Sequence, residues 1–282
     1  MSVIAGLLSG CQNPMDPVPP AGNGVELTDQ MRVGEYLIST FRKEYADGWV
    51  EITKAGKTVL RMDGWVFRIG TMSDVVDHDF RQWVGKDITG RGKPEIVIYE
   101  WTGGAHCEYI ASVIELGSPC RRVAEINGQH SVPCFRDVDG DGLPEVIIRD
   151  WAYAYWPGSF GDSPAPQVIL KWRNGKYGAA AELMRAPAPT GRKLASMAKQ
   201  IRDEWCVETS NKYNRGLIPQ SLFQTALDLM YKGHEALGWR FIAMAWNPKY
   251  PMDASLQKEL KQRMRDSEWW QGIKSQMMIA PP

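Results

Sequence analysis

The chain lacks an excess of charge of either sign. Its 33 lysines and arginines balance 33 aspartates and glutamates. That excludes a general nucleic-acid binder, whose affinity needs surplus positive charge to displace counterions from phosphate. Beyond the first few residues it also lacks any apolar run approaching the ~20 residues that cross a bilayer as a helix. Histidine is scarce, four residues. His130 and His234 stand alone, and Asp77-His78-Asp79 reads as a solvated loop. Cysteine is scarce too, five residues, whereas twelve tryptophans are enough to fill a core or build a recognition surface.

The N-terminus ends its short apolar stretch in Leu8-Ser9-Gly10-Cys11. This resembles the lipobox of bacterial lipoproteins, cleaved just before a cysteine that becomes the acylated N-terminus. The resemblance implies that residues 1–11 are a signal segment and that Cys11 carries a lipid. Membrane attachment would then run through a lipid anchor rather than a transmembrane helix. No lysine or arginine precedes the apolar stretch, a departure from the usual signal. A start further upstream and a chance cysteine are the alternatives. Residues 12–30 read as a flexible tether, with four prolines and Gly22-Asn23-Gly24. Gln12 stands where inner-membrane lipoproteins carry aspartate, so the expected location is the periplasm-facing cell envelope, on the outer membrane.

Without Cys11, Cys107, Cys120, Cys134 and Cys206 form an even set, which permits disulfides in an exported chain. Asn127-Gly128 is a hairpin dipeptide. Strands over 121–126 and 129–135 would bring Cys120 and Cys134 together, so a disulfide between them is one expectation and free thiols the other.

Alternating apolar residues predict strands around Ala55-Gly56 and after Asp63-Gly64. An internal repeat follows. Asp87-Ile-Thr-Gly-Arg-Gly-Lys-Pro-Glu95 and the strand after it match Asp137-Val-Asp-Gly-Asp-Gly-Leu-Pro-Glu145 and its strand, at an offset of 50 residues. Such a period is blade-like. Strands over 109–116 and 167–172 complete the two copies, the second turning at Asn174-Gly175. Past Pro187-Ala-Pro189 the apolar period becomes helical. Thr190 is an N-cap for a helix to about Lys212, Pro219 opens a second, Gly233 ends it, and Asp253 caps the last. The predicted fold is α+β: an antiparallel β domain of propeller-blade-like repeats over residues 31–186, then a small helical bundle over 187–282. Roughly three blades fit, below the propeller minimum of four.

The second loop carries the strongest chemical signal. Calcium takes six to eight oxygen ligands, and Asp137, Asp139 and Asp141 put carboxylates at positions 1, 3 and 5 of a tight loop. Gly140 and Gly142 let the backbone curl. Position 7 offers the Leu143 carbonyl and position 9 the Glu145 carboxylate. An EF-hand would need flanking helices and a glutamate at position 12, which is Ile148. The loop resembles the calcium-binding repeats of FG-GAP and VCBS type found in bacterial surface proteins. That resemblance covers roughly Val84 to Trp172 and implies Ca2+ as the bound ion; Glu145 replaces the family's usual aspartate. An Asx-turn without metal is the alternative. In the first copy Thr89 and Arg91 replace the second and third aspartates. The Arg91 guanidinium is expected to stand in for the ion, paired with Asp87 and Glu95, with a solvent-facing side chain as the alternative.

Trp151, Tyr153 and Tyr155 are predicted to share one strand face, and Phe160 stands in the Gly/Ser/Pro-rich loop that follows, a protruding recognition element. They would form a recognition surface or a buried sheet face. Glu100 and Asp150, equivalent in the repeat, are the carboxylates that would run a wall-directed hydrolase. Cys107 beside His106 reads as a turn entering a strand, since neighbouring side chains point to opposite faces. The expected function is a non-enzymatic envelope module that binds a protein or a cell-wall glycan. The alternatives are a hydrolase using Glu100 or Asp150, and an inhibitor or immunity lipoprotein acting against such an enzyme.

Overall fold

The structure is a computed structural model that describes residues 24–44, 47–70, 80–103, 108–205, 218–249, 252 and 254–279. Cys11, the Asp77–Asp79 triplet, His106, Cys107, Cys206 and Asp253 lie outside the described residues.

The fold is α+β, with three antiparallel four-stranded sheets followed by helices. The first sheet holds β1 (Glu26–Val33), β2 (Tyr36–Glu44), β3 (Asp47–Lys54) and β4 (Lys57–Gly64) in chain order. The second holds β5 (Val66–Ile69), β6 (Glu95–Trp101), β7 (Tyr109–Glu115) and β8 (Arg121–Asn127), also in chain order. The third holds β9 (Cys134–Arg136), β10 (Glu145–Arg149), β11 (Gln167–Arg173) and β12 (Lys176–Ala179). Each sheet is a meander of blade size, but they do not form a closed propeller. The tether expected through residue 30 ends sooner, because β1 starts at Glu26 and pairs with β2 from Glu26↔Arg42 onward.

Two hairpins follow directly from turn chemistry. Ala55 and Gly56 have φ of +49° and +75°, and Asn174 and Gly175 have +52° and +80°. Both central residues are left-handed, which matches the right-handed twist of the strands they join. The Asn127-Gly128 hairpin does not form. The Gly128 amide donates to Tyr109 O and the Tyr109 amide to Gln129 O, so the turn is tied back to β7. Pro133 then has no N–H to offer a ladder. The next strand begins only at Cys134, in a different sheet. Cys120 and Cys134 are accordingly free thiols, not a disulfide. Burial pushes the Cys120 thiol up to about 11 and raises that of Cys134, so neither is a reactive thiolate.

The contacts divide the chain into two compact units, Met1–Val146 with Trp172–Tyr177, and Ile147–Lys171 with Gly178–Pro282. The division does not fall at Pro187; the segment Ile147–Lys171 belongs with the helices. In the first unit the first two sheets share one core. Tyr36, Ile38, Val50 and Ile52, alternate residues of β2 and β3, meet Phe67, Ile69, Ile96, Ile98 and Ile114. β6 is buried along both faces, which explains its unbroken Ile96-Val97-Ile98-Tyr99 run.

In the second unit the helices are α1 (Ala181–Met184), α2 (Gly191–Asp203), α3 (Gln220–Tyr231), α4 (Glu235–Ala245), α5 (Ala254–Asp266) and α6 (Trp270–Ile279). Thr190 Oγ1 accepts the Lys193 amide and caps α2. Leu222, Phe223, Ala226, Leu229 and Met230 of α3 are buried, as the spacing predicts. Gly233, at φ +95°, lets the chain leave α3. α6 is a helix that the apolar periodicity does not announce. Its start is fixed by Ser267 Oγ, which accepts the amides of Trp269 and Trp270. It also packs on α1, α3 and α5.

Candidate metal centre and its twin loop

Two loops of the first unit, ahead of β6 and β10, share one backbone frame. Gly90 and Gly92 have φ of +71° each, and Gly140 and Gly142 have +78° and +89°. The first aspartate organises each loop. Asp137 Oδ1 accepts the Gly140 amide at 2.7 Å and Oδ2 the Gly142 amide at 3.0 Å. Asp87 Oδ1 accepts the Arg91 amide at 2.9 Å and Oδ2 the Gly92 amide at 2.7 Å. The ninth residue closes each loop from the first position of a strand. Glu145 Oε2 accepts the Val138 amide at 2.9 Å, and Glu95 Oε2 accepts those of Ile88 and Thr89 at 2.9 and 2.8 Å. Both glutamates are buried. The duplication read in the sequence is therefore a duplication of hydrogen bonding.

The centres of the loops differ. In the second, one carboxylate oxygen each from Asp137, Asp139 and Glu145 lie within 4.8 Å of one another. Oxygens around one bound cation of calcium's size lie at most about 5 Å apart, so the three are close enough together to hold a metal ion. Each carboxylate oxygen has two acceptor positions, so the amide bonds leave capacity for a metal. Asp141 is not one of the three. It is exposed, and its Oδ1 accepts the Leu143 amide at 2.9 Å. Leu143, half-buried, packs towards Gly90 of the twin loop.

In the first loop a guanidinium occupies the centre. Arg91 Nε donates to Thr89 Oγ1 at 2.8 Å, and one terminal nitrogen reaches Glu95 Oε1 at 2.6 Å and Glu115 Oε2 at 2.9 Å. The guanidinium carbon lies 5.7 Å from the Trp172 ring centre. The expected pairing with Glu95 is present. The pairing with Asp87 is not; Asp87 accepts the Arg91 and Gly92 amides, and Glu115 of β7 takes the guanidinium's second ion-pair position. Tyr177 lies near both closing residues. Burial, then the charges of Glu95 and Glu145, push its phenol far above the ordinary range.

The second unit holds the other candidates. Residues 151–155 form turns rather than a strand, with Ala154 N donating to Trp151 O and Trp156 N to Tyr153 O. The Asp150 side chain starts them by accepting the Ala152 amide at 3.0 Å. Tyr153 is consequently buried, its hydroxyl 3.1 Å from that of Tyr231. The other three predicted recognition residues do meet. Trp151 and Phe160 stack with centres 5.2 Å apart and planes 7° apart, and Tyr155 lies 5.4 Å from Phe160. Tyr155 is 54% exposed, with a left-handed φ of +58°.

Asp150 is almost fully buried. Its Oδ2 accepts the hydroxyls of Tyr231 and Ser267, both at 2.5 Å. Sequence reasoning gave no sign of this network, since its partners lie 81 and 117 residues away. Glu100 is half-buried, and its Oε1 accepts the Trp65 amide at 3.1 Å. Burial raises its pKa against that hydrogen bond. No family model, curated protein or solved structure matches the chain.

Proposed function

We propose that this protein is a calcium-braced, non-enzymatic binding module of the bacterial envelope, held there by a lipid on Cys11. The observation that carries the reading is the convergence of Asp137, Asp139 and Glu145 oxygens within 4.8 Å, in a frame whose twin already holds a guanidinium. Calcium here is a brace. It would tie the loop ahead of β10 to the first residue of that strand through Glu145, and its chemistry is charge neutralisation among closely spaced carboxylates. The blade-like order of the three sheets and the duplicated loop both fit an FG-GAP or VCBS-type scaffold.

The surface offered to a partner is the Trp151–Phe160–Tyr155 cluster, where aromatic rings suit a glycan face or a protein side chain equally. Two features support a non-enzymatic reading. Asp150 is enclosed by three hydrogen-bond donors, and Glu100 is committed to the Trp65 amide. Inhibition of a wall hydrolase is the concrete version of this activity.

Equilibrium dialysis of the full chain with calcium tests the brace. One ion per chain is expected, and Asp139→Asn should weaken binding at least about tenfold, the cost of one lost charged ligand. Wild-type affinity in that variant sinks the site. Assays of peptidoglycan cleavage, and of inhibition of lysozyme-type enzymes, test the activity. Hydrolysis abolished by Glu100→Gln would replace the reading with an enzymatic one. Cys11→Ala should release the protein from membranes.

A further inference from the structure

We infer that Arg91 is a resident cation, so that ion dependence is confined to one of the two paired loops and the other is permanently closed. The inference rests on reading the Asp137 loop as a calcium site. Its basis is positional. In the Asp137 loop, the side chains at positions 1, 3 and 9 converge on one point. In the Asp87 loop the guanidinium binds the side chains at positions 3 and 9, Thr89 and Glu95, at 2.8 and 2.6 Å.

The charges make the same point. The Glu95 side chain has no exposure and that of Glu115 only 10%. Two such carboxylates need a cation between them, since a buried charge without a partner is strongly destabilising. Arg91 supplies it from position 5, where the other loop has Asp141. One terminal nitrogen bridges the Glu95 and Glu115 oxygens, Nε holds Thr89 Oγ1, and the Trp172 ring lies against the guanidinium. Closure of the loop onto β6 therefore costs no external ligand and persists when free calcium falls. Closure of the Asp137 loop onto β10 does not. Calcium would thus act locally, on the β9–β10 connection, and leave the first two sheets intact.

The test rebuilds the acidic pattern in the filled loop. The full-length double variant Thr89→Asp with Arg91→Asp should bind one more calcium ion per chain than wild type, measured by equilibrium dialysis. Its thermal midpoint should fall further on chelation than that of wild type. Folding in calcium but not in chelator would support the inference equally. No gain in stoichiometry, or a variant that folds in neither condition, would overturn it. Hydrogen exchange on the wild type supplies a second readout. Chelation should expose the Val138, Gly140 and Gly142 amides and leave those of Ile88, Thr89 and Gly92 protected; equal loss at both loops refutes the division. The two proposals fail differently. If wild type binds no calcium, the brace is wrong, whereas the gain of a site in the double variant is judged independently of it.

Discussion

Gly90 and Leu143 press the two duplicated loops together: a Cβ on Gly90 would stand 2.8 Å from Leu143 Cδ1. Position 4 of the arginine-filled loop thus supports position 7 of the candidate calcium loop. The first loop is held by its own amide bonds to Asp87 and by the Arg91 ion pairs.

Gly90→Ala should therefore carry two costs. The left-handed φ of +71° disfavours any Cβ by about 1–2 kcal/mol, and the new methyl must also displace Leu143. Gly92→Ala is the matched control, with the same φ of +71° and nothing within 4 Å of its Cβ. Urea unfolding should rank Gly90→Ala as the less stable variant, with the weaker calcium binding. Equal behaviour would mean that the Gly90–Leu143 contact contributes nothing.

Removal of calcium should lower stability by mass action. At free calcium about 100 times the dissociation constant, linkage contributes about 2.7 kcal/mol. Thermal melts in calcium and in chelator should differ accordingly for wild type and coincide for Asp137→Ala. A difference that survives in Asp137→Ala places the ion elsewhere.

Asp150→Ala removes the one acceptor shared by Tyr231, Ser267 and the Ala152 amide. Hydrogen bonds to a charged group contribute about 1.5–3 kcal/mol each, and buried donors left unpaired add to the loss. The expected destabilisation is about 3–5 kcal/mol by urea unfolding, with loss of the helical signal. Asp150→Asn, which keeps an acceptor oxygen, should recover part of it. A loss below about 1 kcal/mol would remove the network from the forces holding α6.

Mild acid should stabilise the protein. Burial is the main cause raising the carboxyl pKa values of Glu100, Asp228 and Glu268 above their ordinary values, 4.5, 3.8 and 4.5. Between the ordinary and the raised value the folded chain binds protons that the unfolded chain does not, so stability rises as pH falls. The gain is complete below the ordinary values and lost as pH climbs through the raised ones. The urea midpoint should be higher at a pH just above the ordinary carboxylate values than at neutral pH. Asp228→Asn and Glu268→Gln should flatten the difference. A midpoint that falls over the same interval contradicts the burial effect.

Much of this was legible in the chain. The Ala55-Gly56 and Asn174-Gly175 turns, the cap at Thr190 and the apolar face of α3 follow from local backbone and side-chain preferences. Local sequence signals are overridden where a distant partner wins. Asn127-Gly128 carries a hairpin signal, but hydrogen bonds to Tyr109 and the missing amide of Pro133 turn the chain into another sheet. Trp151 to Tyr155 alternate as a strand would, yet the Asp150 carboxylate nucleates a turn and Tyr153 goes inward. Trp151, Tyr155 and Phe160 meet through these turns and the loop after them, and no strand places them.

The sequence alone determined the two loops. Glycines that accept a left-handed φ, an aspartate placed to receive amides three to five residues on, and a glutamate at position 9 are local requirements, and each is written at a fixed spacing. Tertiary structure decided what each loop holds. Glu115 lies 24 residues beyond Arg91, and only the pairing of β6 with β7 sets Glu115 directly opposite Glu95, where it completes the guanidinium's cradle. Only packing places Leu143 on Gly90 and buries Asp150 among hydroxyls from α3 and the entry to α6. Local spacing fixes hydrogen bonds a few residues apart, whereas the partner of a buried charge is chosen by which strands and helices meet.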